Sequence, residues 1–454
     1  MKEKNYGMES MFGEEISLKS VHLDGRLEGA LFTGKLRQKY VNETAETIEA
    51  IYTFPIAWSA CLLNVALELN GNRLEALALP KKQAEDKYED AIAGGDTPVM
   101  IEKTSKGLYT ANLGNLKPGE EAFIEVEYSQ LLALEDGRFR VLVPTVIGER
   151  YGDSVRNGKL AAHQAVETDF LVEYGFTAQI SVIGDAALGK IASPSHVIRI
   201  SEIEGGQLIQ VSEPSYMDRD FVITINDLKT ASTMLVAEDG PEFAVVASFF
   251  PELVAGETTS LNLKVLVDCS GSMKGDSIEQ AQEALFELSE RLEPTDQISY
   301  SKFGTTVEHI ADQLTACTQS FIKNQLAKAI HETDADLGGT NLNKALSETF
   351  KISFSTAYSE GSDILLITDG LVWNVDEIVQ QARRSNHRIF AIGVGSAPAE
   401  SLLKELAEQT GGACELVTPN EQIQDAVLRV LAKLRATRTT DLSISWPTQV
   451  IWQS

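Results

Sequence analysis

The stretch VLVDCSGSM, residues 265–273, joins a run of aliphatic residues to the polar pattern Asp-x-Ser-x-Ser. A short apolar run bounded by turn residues is typical of a strand in the interior of a sheet. Because the aspartate and the two serines follow directly, their oxygen atoms should lie near the carboxyl end of that strand. The stretch therefore predicts a buried strand that brings Asp268, Ser270 and Ser272 to one edge of a sheet.

Strands and helices alternate along the chain after about residue 258. A helix is predicted over 277–292 because Ile278, Ala281, Leu285 and Leu288 form one apolar stripe. The other predicted elements are strands at 298–303, 364–367, 389–394 and 415–417 and helices at 342–350, 374–384, 399–409 and 420–435. This alternation predicts a doubly wound, mostly parallel α/β sheet with helices on both faces.

Two further segments carry side-chain oxygen atoms at the start or the end of a predicted element, as the segment 265–273 does. Thr340 lies in GGTN, residues 338–341, at the start of a predicted helix, and Asp369 lies in ITDG, residues 367–370, at the end of a predicted strand. Ligands of doubly wound sheets bind outside the carboxyl ends of the strands. Two carboxylates and three hydroxyls form a set of oxygen ligands that suits Mg²⁺ and not Zn²⁺. We expect an ion held this way to accept one more carboxylate from outside.

The rest of the chain is predicted to be rich in β-strands. Residues 14–152 predict an antiparallel layer with a hairpin turn at Asn70-Gly71 and one helix over 81–93. Residues 166–253 predict a second β domain. An alternating strand follows the last helix, over 442–446. A strand arriving alone would leave an unpaired edge, so we expect it to return to the second β domain, which makes the α/β unit an insertion.

Composition excludes several classes of partner. The 454 residues carry a net charge of -27, which opposes attraction to nucleic acid and to anionic membranes. No run approaches 18 apolar residues, so membrane insertion is not expected. The four cysteines form no CxxC pair, and residues 1–18 lack the apolar core of a signal peptide. We therefore expect a cytoplasmic protein.

The five oxygen-bearing residues resemble the metal-ion-dependent adhesion site of von Willebrand factor A domains. The resemblance implies that Ser270, Ser272 and Thr340 bind the ion directly, and that Asp268 and Asp369 bind it directly or through water. It also implies Mg²⁺, with Mn²⁺ or Ca²⁺ as alternatives, and a partner protein that donates an Asp or Glu side chain.

The first part of the chain resembles the vault protein inter-alpha-trypsin (VIT) domain in KQAEDKYEDA, residues 82–91, in the turn 113–119 and in residues 143–151. A VIT domain followed by a von Willebrand A domain is the arrangement of inter-alpha-trypsin inhibitor heavy chains and their cytosolic relatives. In that family the A domain is inserted in a β-sandwich resembling the integrin hybrid domain. The resemblance implies a VIT domain at 10–152, a hybrid-like sandwich at 160–257 plus 438–454, and an A domain at 258–437.

Catalysis is not predicted. The chain has neither a Gly-x-Ser-x-Gly elbow for Ser270 nor a Gly-x-x-x-x-Gly-Lys phosphate loop, and its six histidines are scattered. The acidic residues Asp334 and Asp336 do not complete an EF-hand loop, because position 12 is Ala345. Two hypotheses remain: a non-enzymatic, metal-dependent interaction protein, or a structural scaffold whose β domains make the contacts and whose metal site is vestigial. The sequence selects neither the partner nor an oligomeric state.

Overall fold

The computed structural model of the protein describes most of the chain. The described residues are 8–10, 15–105, 108–135, 137–145, 175–212, 214–216, 219–228, 232–249, 260–311, 313–353, 362–370, 372 and 375–436. The strand predicted at 442–446, and with it the test of the insertion, lies outside these residues. We refer to the described residues up to 249 as the β region and to residues 260–436 as the α/β unit.

The β region consists of strands and one longer helix. Its described strands are β1 Met8–Ser10, β2 Glu15–Glu28, β3 Leu31–Val41, β4 Ile48–Pro55, β5 Ala60–Leu69, β6 Asn72–Glu75, β7 Val99–Ser105, β8 Leu108–Leu116, β9 Glu121–Leu131, β10 Phe139–Val143, β11 Gly175–Ile183, β12 Lys190–Ala192, β13 Ile198–Ile203, β14 Gly206–Val211, β15 Phe221–Asn226, β16 Ser232–Asp239 and β17 Glu242–Phe249. Helix α1 is Lys81–Gly94, as predicted, and it ends where Gly95 adopts a left-handed conformation.

Three sheets form in the β region. Twelve described strands make the largest, with the order β6-β5-β9-β3-β2-β1-β4-β8-β7 and with β11, β14 and β13 attached through β2. Strands β10, β15 and β12 form a small sheet, and β16 and β17 form a two-stranded ribbon. Strand β11 pairs in parallel with β2, and β10 pairs with β15. The two predicted β domains therefore share sheets and one hydrophobic core, and their predicted limits stay a prediction.

Local patterns account for the hairpin at β5 and β6. Leu69 pairs with Asn72, and the turn residues Asn70 and Gly71 both have positive φ, as a type I′ turn requires. Nearer the start of β5, the alternation of buried and exposed side chains is interrupted, because the pairing register with β9 shifts between Leu62 and Asn64. Leu63, at this bulge, is 54% exposed, whereas Val65 and Leu67 farther along the strand are buried.

The α/β unit alternates strands and helices. Its described strands are β18 Asn262–Asp268, β19 Gln297–Phe303, β20 Val307–His309, β21 Thr315–Ala316, β22 Asp363–Thr368, β23 Arg388–Val394 and β24 Cys414–Val417. Its described α-helices are α2 Asp276–Glu290, α3 Gln319–Phe321, α4 Ala327–His331, α5 Leu342–Phe350, α6 Val375–Arg384, α7 Glu400–Thr410 and α8 Ile423–Arg435. A π-helical turn, Ile322–Leu326, joins α3 to α4.

The sheet of the α/β unit has the order β20-β19-β18-β22-β23-β24. Strands β19, β18, β22, β23 and β24 are parallel, and the short β20 is antiparallel to β19. In chain order the parallel strands run 2-1-3-4-5, so the order reverses between β18 and β22. This pair is the topological switch point of the sheet.

Helices cover both faces of this sheet, which confirms the predicted doubly wound architecture. Leu263, Val265 and Val267 of β18 pack in one core with α2, α4 and α8. Leu266, from the same strand, packs in a second core with α5, α6 and α7. Successive residues of a strand point to opposite faces, so a strand apolar at most positions must be buried on both sides.

The two ends of the α/β unit meet at one buried carboxylate. The N–H of Leu261, just before β18, donates to Asp296 Oδ1 at 2.8 Å. At the far end of the unit, Arg435 Nη2 donates to Asp296 Oδ2 at 2.7 Å. Asp296 is 0% exposed. The chain therefore enters and leaves this unit at the same point.

The β region contacts the α/β unit through an apolar and an ionic interface. Leu142 and Val222 of the small sheet pack into the core under α7. Glu415, only 3% exposed, pairs with Arg138 of the β region at 3.2 Å and with Arg429 and Lys433 of α8 at 3.0 and 3.3 Å. A cavity of about 180 Å³ remains between the two parts, beside Trp58, Arg140 and Lys404.

Candidate metal centre

The two predicted aspartate ligands lie at the carboxyl ends of the two strands that form the switch point. Asp268 is the last residue of β18, and Asp369 follows β22 directly. Because β18 and β22 are hydrogen-bonded parallel neighbours, their carboxyl ends share one edge of the sheet. This edge is where doubly wound sheets bind their ligands.

Residues 269–275, the serine loop, turn back over the end of β18. The N–H of Ser270 donates to Asp268 Oδ1 at 2.9 Å. A short 3₁₀ helix, Gly271–Met273, follows, and the buried Met273 side chain anchors it in the core. The turn brings Ser270 Oγ to 3.2 Å from Ser272 Oγ. Ser270 is fully buried and Ser272 is half-buried.

Residues 337–341, the threonine loop, are hydrogen-bonded to the serine loop. The N–H of Leu337 donates to the carbonyl of Cys269 at 2.9 Å, and the N–H of Gly271 donates to the carbonyl of Gly338 at 2.7 Å. Gly338 has φ +79°, a conformation that favours glycine. Asn341 then caps α5 by accepting from the N–H of Lys344. These contacts fix Thr340 beside the serine loop.

Thr340 Oγ1 is buried and has no hydrogen-bond partner among the described residues. A buried hydroxyl without a partner loses the hydrogen bonds that it makes to water in the unfolded chain, a loss of about 1–3 kcal/mol. Such atoms are uncommon in folded proteins, and a bound ion or water can supply the partner that the protein does not. The unsatisfied atom belongs to one of the five predicted ligands.

The two carboxylates are close enough to affect each other. Burial raises the pKa of Asp268 above its ordinary value, and the negative charge of Asp369 raises it further. Hydrogen bonds from Thr368 and Ser270 oppose this shift. Two neighbouring buried carboxylates repel each other when both are charged, and a cation between them would relieve that repulsion.

Backbone and hydroxyl contacts hold both acids in place. Thr368 Oγ1 donates to Asp268 Oδ2 and accepts from the N–H of Gly370 at 2.8 Å. The carbonyl of Asp369 accepts from the N–H of Ala399 at 2.7 Å. Thr368 lies in the ITDG segment, but no role in the site was predicted for it. A hydroxyl directly before a predicted ligand was the available signal.

The donor set fits Mg²⁺ in the kind of ligand atoms, and the two serine hydroxyls also fit in spacing. The 3.2 Å between Ser270 Oγ and Ser272 Oγ is close to the edge of about 3.0 Å expected for an octahedron with bonds of about 2.1 Å. Each Asp268 oxygen accepts one hydrogen bond and keeps a second lone pair. Among the described residues no group of three or more His, Cys, Asp or Glu could hold a metal ion, so this site would depend on hydroxyl ligands.

Cys269, within the serine loop, has a structural role. Its side chain is 0% exposed and packs in the core beneath α2. Burial, followed by the charge of Asp268, raises the pKa of its thiol to about 12. A thiol that stays protonated is a poor nucleophile and a poor metal ligand.

Comparison with known proteins assigns domains to both parts of the chain. Residues 18–128 match the vault protein inter-alpha-trypsin domain, and residues 262–428 match the von Willebrand factor type A domain. The second match contains all five predicted ligands, and the first lies within the β region.

Similar proteins match nearly the whole chain. The chain is 24% identical to von Willebrand factor A domain-containing protein 5A of Rattus norvegicus over 98% of its length and 57% of the relative's. It is 24% identical to the Homo sapiens protein of that name over 97% of its length and 60% of the relative's. The chain therefore spans little more than half of these relatives.

A von Willebrand factor type A structure from Catenulispora acidiphila is also similar, at 18% identity and a TM-score of 0.35, with 46% of each chain covered. In the part of the chain that the structure describes, no helix combines the length and the apolar character needed to cross a bilayer.

Proposed function

The chain carries a VIT domain followed by a von Willebrand factor A domain, which is a protein-interaction module, and on this premise we propose that it is a non-enzymatic, metal-dependent interaction protein. In this proposal Asp268, Ser270, Ser272, Thr340 and Asp369 hold Mg²⁺. The ion accepts an Asp or Glu side chain from a partner protein. Because three of the five ligands are neutral hydroxyls, the ion stays electrophilic and can accept a further carboxylate in its coordination shell.

The unsatisfied Thr340 Oγ1 is the observation that carries this proposal. It is a buried oxygen that would gain a partner when the ion binds, at the edge where the two aspartates and two serines also lie. In the alternative, a scaffold with a vestigial site, the hydroxyl would have no such partner.

Calorimetric titration of Mg²⁺ tests the proposal. We expect a binding heat for the wild type, none for Asp268→Ala, and an affinity at least about tenfold weaker for Thr340→Ala. Thr349→Ala is the matched control, because Thr349 Oγ1 is also buried without a hydrogen-bond partner in the described structure but lies on α5, away from the serine loop. It should bind Mg²⁺ like the wild type. Equal heats for the wild type and Asp268→Ala would favour the scaffold.

A further inference from the structure

Exposed acidic side chains surround the candidate metal centre. Asp276 begins α2 immediately after the serine loop. Asp334 and Asp336 precede the threonine loop, and Asp376 and Glu377 lie in the first turn of α6. All five side chains are exposed. We call these five residues the acidic rim.

Several contacts connect the acidic rim to the centre. Asp334 and Asp336 lie three residues and one residue before Leu337, whose N–H donates to the carbonyl of Cys269 in the serine loop at 2.9 Å. On the other side, Asn343 Nδ2 donates to Glu377 Oε1 at 3.3 Å, which places the start of α6 beside the start of α5. The rim residues therefore approach the same edge of the sheet as the predicted ligands.

Nearby cations leave the charge of the rim largely uncompensated. Lys302 and Lys344 pair with Glu308 and Glu348, at 3.3 and 4.0 Å, and not with the rim. Lys274, on the serine loop, is exposed. Within the described structure, none of the five rim acids forms an ion pair with a Lys or Arg. The edge thus presents strong negative potential around a site that is proposed to receive a carboxylate.

This combination restricts the partner. A bound Mg²⁺ attracts a carboxylate at contact distance, but the rim and the net charge of -27 repel an acidic protein as it approaches. We propose that the partner presents its metal-binding Asp or Glu within a segment rich in Lys and Arg. This inference rests on the proposed function. Basic side chains on both sides of the acid would lie against the acidic rim and would speed association.

Model peptides separate the contribution of the metal-binding acid from that of the basic residues on both sides of it. The binding of four fluorescent nonapeptides to the full chain is measured by anisotropy. Their central residue and the four residues on each side of it are Asp with Lys, Asp with Ser, Asp with Glu, and Asn with Lys. With Mg²⁺ at about 50 mM salt, we expect the lysine-flanked Asp to bind at least about tenfold more tightly than the serine-flanked one. At about 500 mM salt the difference should shrink severalfold, because salt screens exposed charges.

Two variants of the chain show whether the acidic rim causes the preference for lysine-flanked peptides. Asp334→Asn with Asp336→Asn should still bind Mg²⁺ and, at a saturating Mg²⁺ concentration, should show a reduced preference for lysine flanks. Glu202→Gln with Glu204→Gln changes the net charge equally at two exposed sites of the β region, and should leave the preference unchanged.

The outcomes distinguish the inferred basic partner segment from the proposed metal-dependent function. Lysine-flanked Asp that binds only with Mg²⁺, together with loss of preference in the rim variant, supports both. Equal binding of the serine- and lysine-flanked Asp overturns the inference and leaves the proposed function standing. Binding of lysine-flanked peptides without Asp and without Mg²⁺ overturns both, because charge alone would then explain it. If Mg²⁺ binds but no peptide does, the inference fails.

Discussion

Lys264 is a buried cation in the central strand of the α/β unit. Its side chain is 1% exposed, four residues before Asp268. Nζ donates to the carbonyl of Phe350 at 3.2 Å and lies 2.9 Å from His387 Nε2. Since His387 Nδ1 lies 2.8 Å from the carbonyl of Ser385 and must donate to it, Nε2 is the acceptor for the lysine. Burial lowers the pKa of Lys264 from 10.5 to about 8.

The lowered pKa sets the direction of a pH dependence. Between pH 8 and 10.5 the unfolded chain binds the lysine proton more strongly than the folded chain. Stability therefore rises with pH across this window, and below it the folded protein bears the whole penalty of about 3 kcal/mol. Burial and the charge of Lys264 also lower the pKa of His387, so this residue adds a separate loss of stability below its ordinary value of 6.5.

Replacing the amine by an apolar group should remove this penalty. Lys264→Met loses two hydrogen bonds and leaves the Phe350 carbonyl unpaired, which costs about 1 kcal/mol. At pH 7 we expect the variant to be more stable than the wild type by about 2 kcal/mol. The difference should shrink by about 2 kcal/mol between pH 7 and 9.5, as the wild-type lysine loses its proton.

Urea unfolding followed by circular dichroism, at closely spaced pH values, measures this difference. The control is Lys328→Met on α4, where the lysine side chain is 71% exposed, and a surface change of this kind is expected to stay within about 0.5 kcal/mol of the wild type at every pH. Parallel curves for Lys264→Met and the wild type would refute the reasoning, as would a variant less stable at pH 7.

Two other substitutions examine the positioning of the site and the interface. A Cβ at Gly304 would lie 2.5 Å from the backbone oxygen of Leu337. Gly304→Ala should therefore displace the threonine loop and weaken Mg²⁺ binding by about tenfold or more in calorimetry. The control is Gly175→Ala, where the added methyl group meets open space and should leave Mg²⁺ binding unchanged. Glu415→Gln removes the buried negative charge shared by Arg138, Arg429 and Lys433, and should destabilise the protein by about 3 kcal/mol in thermal unfolding. An unchanged melting temperature for Glu415→Gln would contradict this account of the interface.

The sequence predicted most of the α/β unit because its signals are local. The apolar stripe Ile278–Leu288 marks α2, and the aliphatic runs before Asp268 and Asp369 mark β18 and β22. The order of these elements then places the two aspartates at one edge. How Thr340 reaches that edge was not predictable, since it depends on backbone hydrogen bonds between loops almost 70 residues apart in sequence.

The β region was predicted less completely because its pairing is not local. Strand β11 joins β2 in parallel, with Gly175 opposite Ser20, and no short pattern specifies a partner so distant in the chain. Strand β3 begins only at Leu31, because Gly29 adopts positive φ in the turn after β2. Lys264 was equally hidden, since one polar residue in an aliphatic run does not disturb a strand prediction.

The shared contact at Asp296 has a mechanical consequence. Leu261 and Arg435 bind the same carboxylate, so tension applied to the chain on the two sides of the α/β unit would pull first on these few hydrogen bonds. The parallel strands and the edge that carries Asp268 would remain outside the load path until that attachment broke. The proposed binding face could therefore stay intact while the surrounding chain is under force.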